Sequence, residues 1–384
     1  MHTTKRFAAV ALAALTATAA LAGPATAAAA EPGGSCGCQG IGQAVFVQNN
    51  DVDGNQIVAY RRGDDGRLTR LAVYSTGGLG GVLDGSVVDH LASQGSLTYD
   101  REHGLLYAVN AGSNTVSVFD VRGDRLRLRQ VVTSGGAFPV SIAVHEDLVY
   151  VVNALDGGSV QGYTVQDGRL RPQRGWHRSL GLDPHATPQF TNTPGQIGFA
   201  DRGRKLVVTT KANGNDVDVF ALDASGAPAR TPVATNLPGA VPFAFTVDDE
   251  TGRLFVTESG PNAVASFTLH SDGTLTPLRS VATGQAATCW ITAVGDALYA
   301  SNAGSSTVSG FRVGERGRIR PTGTTPTDAG TVDSAASRDG RFLYVQTGGQ
   351  GIVDEFAINR DGTLTRIGSQ TVPNAVGGEG IVAS

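Results

Sequence analysis

The side chains able to move protons are few and widely spaced. His90 and His185 lie in long polar stretches, whereas Lys211 and Glu258 each follow a short apolar run. Either histidine can act as a general base towards water. Lys211 and nearby asparagines can stabilise an oxyanion developing at an attacked carbonyl. Asn110, Asn153, Phe243, Trp290, Asn302, Asp333, Gln346 and Glu379 occupy comparable positions beside other apolar runs. Together they would line a polar, mixed-charge funnel with aromatic walls, suited to a neutral or hydroxylated small ligand. The same residues also have a plain structural reading. Asparagine after a strand bonds its own turn, and Phe243 and Trp290 can simply fill a channel.

Other chemistries lack their motifs. There is no Gly-x-Ser-x-Gly elbow, His-Glu-x-x-His pair, phosphate loop or paired-cysteine zinc pattern. Asp51-Val-Asp-Gly-Asn55 lacks the glutamate that would complete a calcium loop and reads as a tight turn. Neither a metal nor a cofactor is expected.

What positions these residues is internal repetition. The stretch Gly104-Leu-Leu-Tyr-Ala-Val-Asn-Ala-Gly-Ser-Asn-Thr-Val-Ser-Val-Phe-Asp120 returns in altered form at Asp147, Arg204, Arg253, Asp296 and Arg341, after a divergent first copy at Ala44. Anchors at Phe46, Tyr107, Tyr150, Val207, Phe255, Tyr299 and Tyr344 are spaced by 61, 43, 57, 48, 44 and 45 residues. Each copy holds four short strands, A to D. Turns such as Asp65-Gly66, Asp167-Gly168, Asp272-Gly273 and Asp361-Gly362 join C to D, where glycine supplies a positive φ. Four strands per 40 to 50 residues is the period of a propeller blade. The expected fold is all-β, a seven-bladed β-propeller spanning 44–384. The first copy lacks a strand A, and Glu379–Ser384 reads as a strand A with no B, so the C-terminal strand should close the first blade.

Composition agrees. Of 384 residues 52 are glycine, nearly double the usual share of about 7%. A single methionine and the lack of long Leu/Glu/Lys stretches argue against a helical bundle. Lys5 and Arg6, an Ala/Leu-rich run from Phe7 to Leu21 and small residues near Ala30 predict an export signal over 1–30. A Gly/Cys-rich segment follows over 31–43. The expected product is secreted and monomeric. No stretch is long enough for a membrane span. The formal charge of -4 becomes -6 without Lys5 and Arg6, which disfavours nucleic acid as a partner. Export permits Cys36 or Cys38 to pair with Cys289; otherwise Cys289 is a buried thiol.

The Leu-Tyr-Ala-Val-Asn-Ala-Gly-Ser-Asn-Thr-Val-Ser-Val-Phe stretch resembles the YVTN-type repeats of surface propellers. With Ser337-Arg-Asp-Gly-Arg-Phe-Leu-Tyr and Asp272-Gly-Thr-Leu-Thr-Pro-Leu, the wider pattern is similar to the lactonase-like propeller family, which includes 6-phosphogluconolactonases and carboxymuconate lactonizing enzymes. The resemblance covers about residues 44–384 and implies opening of a lactone by water. The family's His-Ala-His and Pro-Arg-His stretches correspond here to Asn192-Thr-Pro-Gly-Gln-Ile-Gly-Phe and Gly239-Ala-Val-Pro-Phe-Ala-Phe, which carry neither those histidines nor the arginine. Glu258 matches a family acidic residue one position out of register. The expectation is therefore a non-phosphorylated sugar or related lactone as substrate. The alternative is a non-catalytic propeller that binds a glycan or protein outside the cell. The two inserted stretches, 77–96 and 176–195, should face the site. Convergence of His90, His185, Lys211, Glu258, Asp333 and Glu379 in one funnel would favour hydrolysis.

Overall fold

The computed structural model of the chain describes residues 43–384. The expected export signal, Cys36 and Cys38 lie outside the described residues. Seven four-stranded antiparallel sheets follow one another along the chain. Their innermost strands are Ile381–Ala383, Leu97–Asp100, Pro139–His145, Gln196–Ala200, Pro242–Asp248, Thr288–Val294 and Thr331–Ala336, in blades 1 to 7. Each innermost strand touches the next, and the seventh touches the first, so the blades close into a ring. In blade 1 the strand Ile381–Ala383 pairs with Ala44–Gln48 in the register Val45↔Ala383, Phe46↔Val382 and Val47↔Ile381. The Ser384 N–H also donates to the Ala44 carbonyl at 2.9 Å.

Burial peaks in the second strands, with the innermost strands partly open and the outer ones the most exposed. The second strands are buried throughout, as in Leu105–Asn110 and Phe342–Thr347. The outer strands alternate, as in Arg318–Pro326. The apolar clusters lie between neighbouring blades, where the two faces of each sheet meet their neighbours.

The repeated tyrosine has a specific task. In three blades its hydroxyl crosses to the next blade and donates to the carbonyl of the glycine in the C–D turn. Tyr344 reaches Gly66 at 2.8 Å, Tyr299 reaches Gly362 at 3.1 Å, and Tyr150 reaches Gly226. Gly66 sits at φ +86, and a Cβ there would lie 2.2 Å from the Phe342 ring. Both the left-handed backbone and the close approach demand glycine. In these three blades the Leu-Tyr or Val-Tyr strand and the glycine turn lock one blade onto the next.

The inserted stretches differ from expectation at one boundary. The outer strand Arg169–Ser179 already contains Trp176 and His177. Trp176 is buried and stacks on Tyr150 with centroids 5.9 Å apart, so the second insertion begins only after Ser179. It carries one helical turn, Gln189–Asn192. No helix among the described residues is long and apolar enough to cross a membrane.

Candidate active site

The first insertion, residues 77–96, is the element that shapes the site. It lies across the centre of the ring and bonds to several blades. Ser93 Oγ donates to the Val140 carbonyl of blade 3 at 2.9 Å, and the Gln94 N–H to Gly195 at 3.1 Å. The Gln94 side chain exchanges two bonds with Ile291 of blade 6, at 2.8 and 2.9 Å. Trp290 Nε1 donates to the Ser93 carbonyl at 2.6 Å. Leu83 and Leu91 are buried in the cluster that holds Val109 and Val140. The stretch is thus a plug with apolar anchors and with backbone groups satisfied by the blades.

Three carboxyl groups gather at this plug, Asp89 from the plug itself and Asp333 and Glu379 from the blades. Asp89 turns inward, accepting the Leu91 N–H at 2.8 Å and the Ser93 N–H at 2.9 Å. Glu379 accepts the Gly95 N–H at 3.0 Å. Asp333 accepts the Ser334 N–H at 2.8 Å, and it and Glu379 lie close enough to influence each other's ionisation. Burial raises all three: Asp89 to about 6, Asp333 to about 7 and Glu379 well above the usual range. The neighbouring carboxylates push Glu379 further, since like charges in a dry site cannot all ionise. Among the described residues, no group of His, Cys, Asp and Glu has the arrangement of a metal site.

Beside the plug, between it and blades 4, 5 and 6, a pocket of about 370 Å³ opens. Its walls include Val87, Val88 and Asp89 from the plug, Phe190 from the second insertion, and Lys211, Phe243 and Trp290 from the blades. The Phe243 and Trp290 rings pack at 5.0 Å, tilted by 60°. Lys211 is 1% exposed. Its ammonium donates to the Ala92 carbonyl at 2.7 Å, the Phe190 carbonyl at 2.6 Å and Thr193 Oγ1 at 3.1 Å. It also stands 5.3 Å from the Phe243 ring centroid. Burial pulls Lys211 down to about 7, partly opposed by the Asp89 carboxylate. Cys289 lines the same pocket; burial raises its thiol to about 12, so it is no thiolate at neutral pH.

The pocket backbone is strained. Lys211, Val241, Asn262 and Ala287 all line it at φ between +50 and +60: 53, 50, 53 and 55. Asparagine tolerates this region, but for β-branched Val241 it is an outlier. Strain held at a cavity wall is a recurring mark of functional sites.

The remaining candidates lie elsewhere. His185 is on the exposed part of the second insertion. His90 is half-buried, its ring against Gly377, and burial lowers its pKa. Glu258 accepts Ser280 Oγ at 3.0 Å, away from the pocket, and burial raises it. Asn110 bonds Thr115 and Ser117, Asn153 bonds the Ser134 carbonyl, and Asn302 bonds Thr288 and Ser309. These three tie strands and turns together within the blades. Gln346 donates to the Gln48 carbonyl at 3.1 Å. The six titratable candidates therefore do not form one funnel. Lys211, Phe243 and Trp290 meet in the pocket, and Asp333 and Glu379 meet behind Asp89. Asp89 carries no signal in the sequence beyond its neighbour His90.

Comparison with known proteins agrees with this architecture. The family model described as Lactonase, 7-bladed beta-propeller matches residues 84–377. Among solved structures, a periplasmic gluconolactonase of Pseudomonas aeruginosa superposes with a TM-score of 0.73 at 18% identity, covering 88% of this chain and 98% of that one. A candidate 6-phosphogluconolactonase of Bacteroides fragilis gives 0.72 at 18% identity, with the same shares covered. A Lactobacillus plantarum protein gives 0.71 at 17%, again with 88% and 98% covered. No curated protein matches the chain in sequence. At these identities the superpositions speak for the fold, and the family match over most of the length decides the rest: the chain belongs to the seven-bladed β-propeller lactonases.

Proposed function

We propose that the protein hydrolyses a small non-phosphorylated lactone in the pocket beside the plug. The observation that carries this reading is the placement of Asp89 and Lys211 in the wall of one strained, largely apolar cavity. With its pKa near 6, Asp89 is ionised at neutral pH yet basic enough to take a proton from water. The water oxygen bonds to the ester carbonyl carbon, and the carbonyl electrons move onto its oxygen. The positive field of Lys211 stabilises that oxyanion in a low-dielectric site. As the tetrahedral centre collapses, the ring C–O bond breaks. The proton on Asp89 passes to the departing alkoxide, giving the open hydroxy acid.

Phosphorylated substrates fit poorly. Lys211 and Asp89 are opposite charges, and no arginine or histidine lines the pocket among the described residues. A phosphate needs a surplus of cationic donors. Acid release across a panel of lactones tests the reading. Wild-type activity should fall at least ~100-fold in Asp89→Asn and Lys211→Met, each checked for folding. Rates indistinguishable from buffer on every lactone would sink it.

One observation favours a second reading, a non-catalytic binding pocket. The three ammonium hydrogens of Lys211 are all taken by protein acceptors, so this residue can act on a ligand through its field alone. Export to the cell exterior belongs to the same proposal. It rests on the leader-like first 30 residues and is checked by N-terminal sequencing of protein recovered from the culture medium.

A further inference from the structure

We infer that the pocket is built for an alkyl- or aryl-substituted lactone rather than a polyhydroxylated sugar lactone. This rests on the lactone reading above and names its substrate class.

Lys211 has given its three hydrogens to Ala92, Phe190 and Thr193. Each oxygen of Asp89 already accepts a backbone N–H. Thr191 donates to the Pro188 carbonyl and accepts from Asn192. Ser259 donates to the Thr288 carbonyl at 3.1 Å, its oxygen 3.3 Å from Cys289 Sγ. Asn262 accepts the Thr288 N–H on its Oδ1, and its Nδ2 finds no acceptor among the described residues. Among the side chains lining the pocket, Asn262 Nδ2 is thus the one strong donor left uncommitted, which suits a single carbonyl or ring oxygen.

The rest of the wall is hydrocarbon: Val87, Val88, Phe190, Val241, Phe243 and Trp290. Val87, on the plug, is 78% exposed. An apolar side chain so open beside an apolar cavity gains its cover from an occupant. Each extra hydroxyl of a sugar lactone would lose its water against these walls without a partner. A hydrocarbon substituent on the lactone ring would instead be stabilised by the same surfaces. The volume, about 370 Å³, is at the small end for ligand pockets and fits a single substituted ring.

The test separates binding from turnover by using lactams, which keep the carbonyl and resist hydrolysis. Calorimetry on the full chain compares a δ-lactam bearing a pentyl chain with gluconolactam. The alkyl lactam should bind at least ~10-fold more tightly, with a negative heat-capacity change. Val87→Ser, at an exposed position that folding tolerates, should erode that preference by weakening the alkyl lactam alone. Equal or tighter binding of gluconolactam would overturn the inference, as would no binding of either lactam or an alkyl preference untouched by Val87→Ser. The acid-release assay then runs on δ-decalactone and glucono-δ-lactone. Alkyl-lactam binding without hydrolysis of either lactone leaves the ligand class standing and removes the hydrolase reading. Hydrolysis of glucono-δ-lactone without alkyl-lactam binding does the reverse.

Discussion

Trp290 Nε1 donates to the backbone carbonyl of Ser93 at 2.6 Å, joining blade 6 to the plug across 197 residues of chain. Because Trp290 also packs on Phe243, one side chain both fastens the plug and walls the pocket. Trp290→Phe keeps most of the apolar surface and deletes the donor, leaving the Ser93 carbonyl without this partner. The expected loss of stability is ~1–3 kcal/mol, measured by urea unfolding. Limited proteolysis should also cut faster within residues 77–96. Unchanged stability together with unchanged cleavage would show that the bond does not hold the plug.

Lys211 fixes the same plug from blade 4 through the Ala92 carbonyl. Lys211→Met preserves the stem and removes the charge together with three hydrogen bonds. Two carbonyls then lose a donor in a dry site, and the charge that faces Asp89 disappears. Unfolding measurements should show a loss of roughly 2–4 kcal/mol, larger than for Trp290→Phe. Lactone turnover should fall through kcat more than through KM, since the field acts chiefly on the oxyanion.

Stability should depend on pH through the carboxyl cluster. Burial raises Asp333 from 3.8 to about 7, so between these values the folded protein keeps a proton that the unfolded chain has lost. Stability from this source is complete in acid and is lost as pH rises through about 7. Lys211 has the opposite sign over a higher window. Its pKa falls from 10.5 to about 7 on folding, so stability rises with pH across that range. A urea midpoint series from about pH 5 to about pH 9 should therefore dip near neutrality. Asp333→Asn should flatten the acid side, by on the order of 2 kcal/mol. A flat wild-type profile would rule out the raised carboxyl cluster.

Removing the last six residues, Glu379 to Ser384, deletes the inner strand of blade 1 and one member of that cluster. It exposes the edge of Ala44–Gln48 and opens the ring. Terminal trimming usually matters little, but here the truncated chain should be recovered as aggregate. A soluble variant with a wild-type melting temperature would contradict the closure.

Val241 holds a left-handed backbone, φ 50, at the pocket wall. Val241→Gly should relieve strain of about 1–3 kcal/mol, offset in part by the greater entropy of glycine in the unfolded chain. A net gain in thermal stability combined with weaker ligand binding is expected. A net loss of stability would show that the Val241 side chain contributes more by packing than its backbone costs.

What was legible follows the range of the interactions involved. The Asp-Gly turns, present in four blades, and the short apolar second strands, present in all seven, are local signals, each complete within about ten residues. Blade count, ring closure and the C-terminal strand follow from them. Asn110, Asn153 and Asn302 also carry a local signal, but it fits a pocket donor and a bonded turn equally well. Their burial and partners decided for the turn. The insertion at 77–96 was legible as long and functionally placed, yet nothing in its residues said that it would cross the ring.

The sequence by itself determined the architecture, because periodicity, glycine turns and apolar alternation act between neighbours along the chain. The tertiary structure alone decided the site. Asp89 and Lys211 share a pocket wall, Ala92 meets Lys211 and Ser93 meets Trp290 only once seven blades have closed around the plug. Burial then changes their chemistry: Asp89 rises towards 6 and Lys211 drops towards 7 because both have left water. Desolvation depends on everything packed around a group, and no spacing along the chain records it.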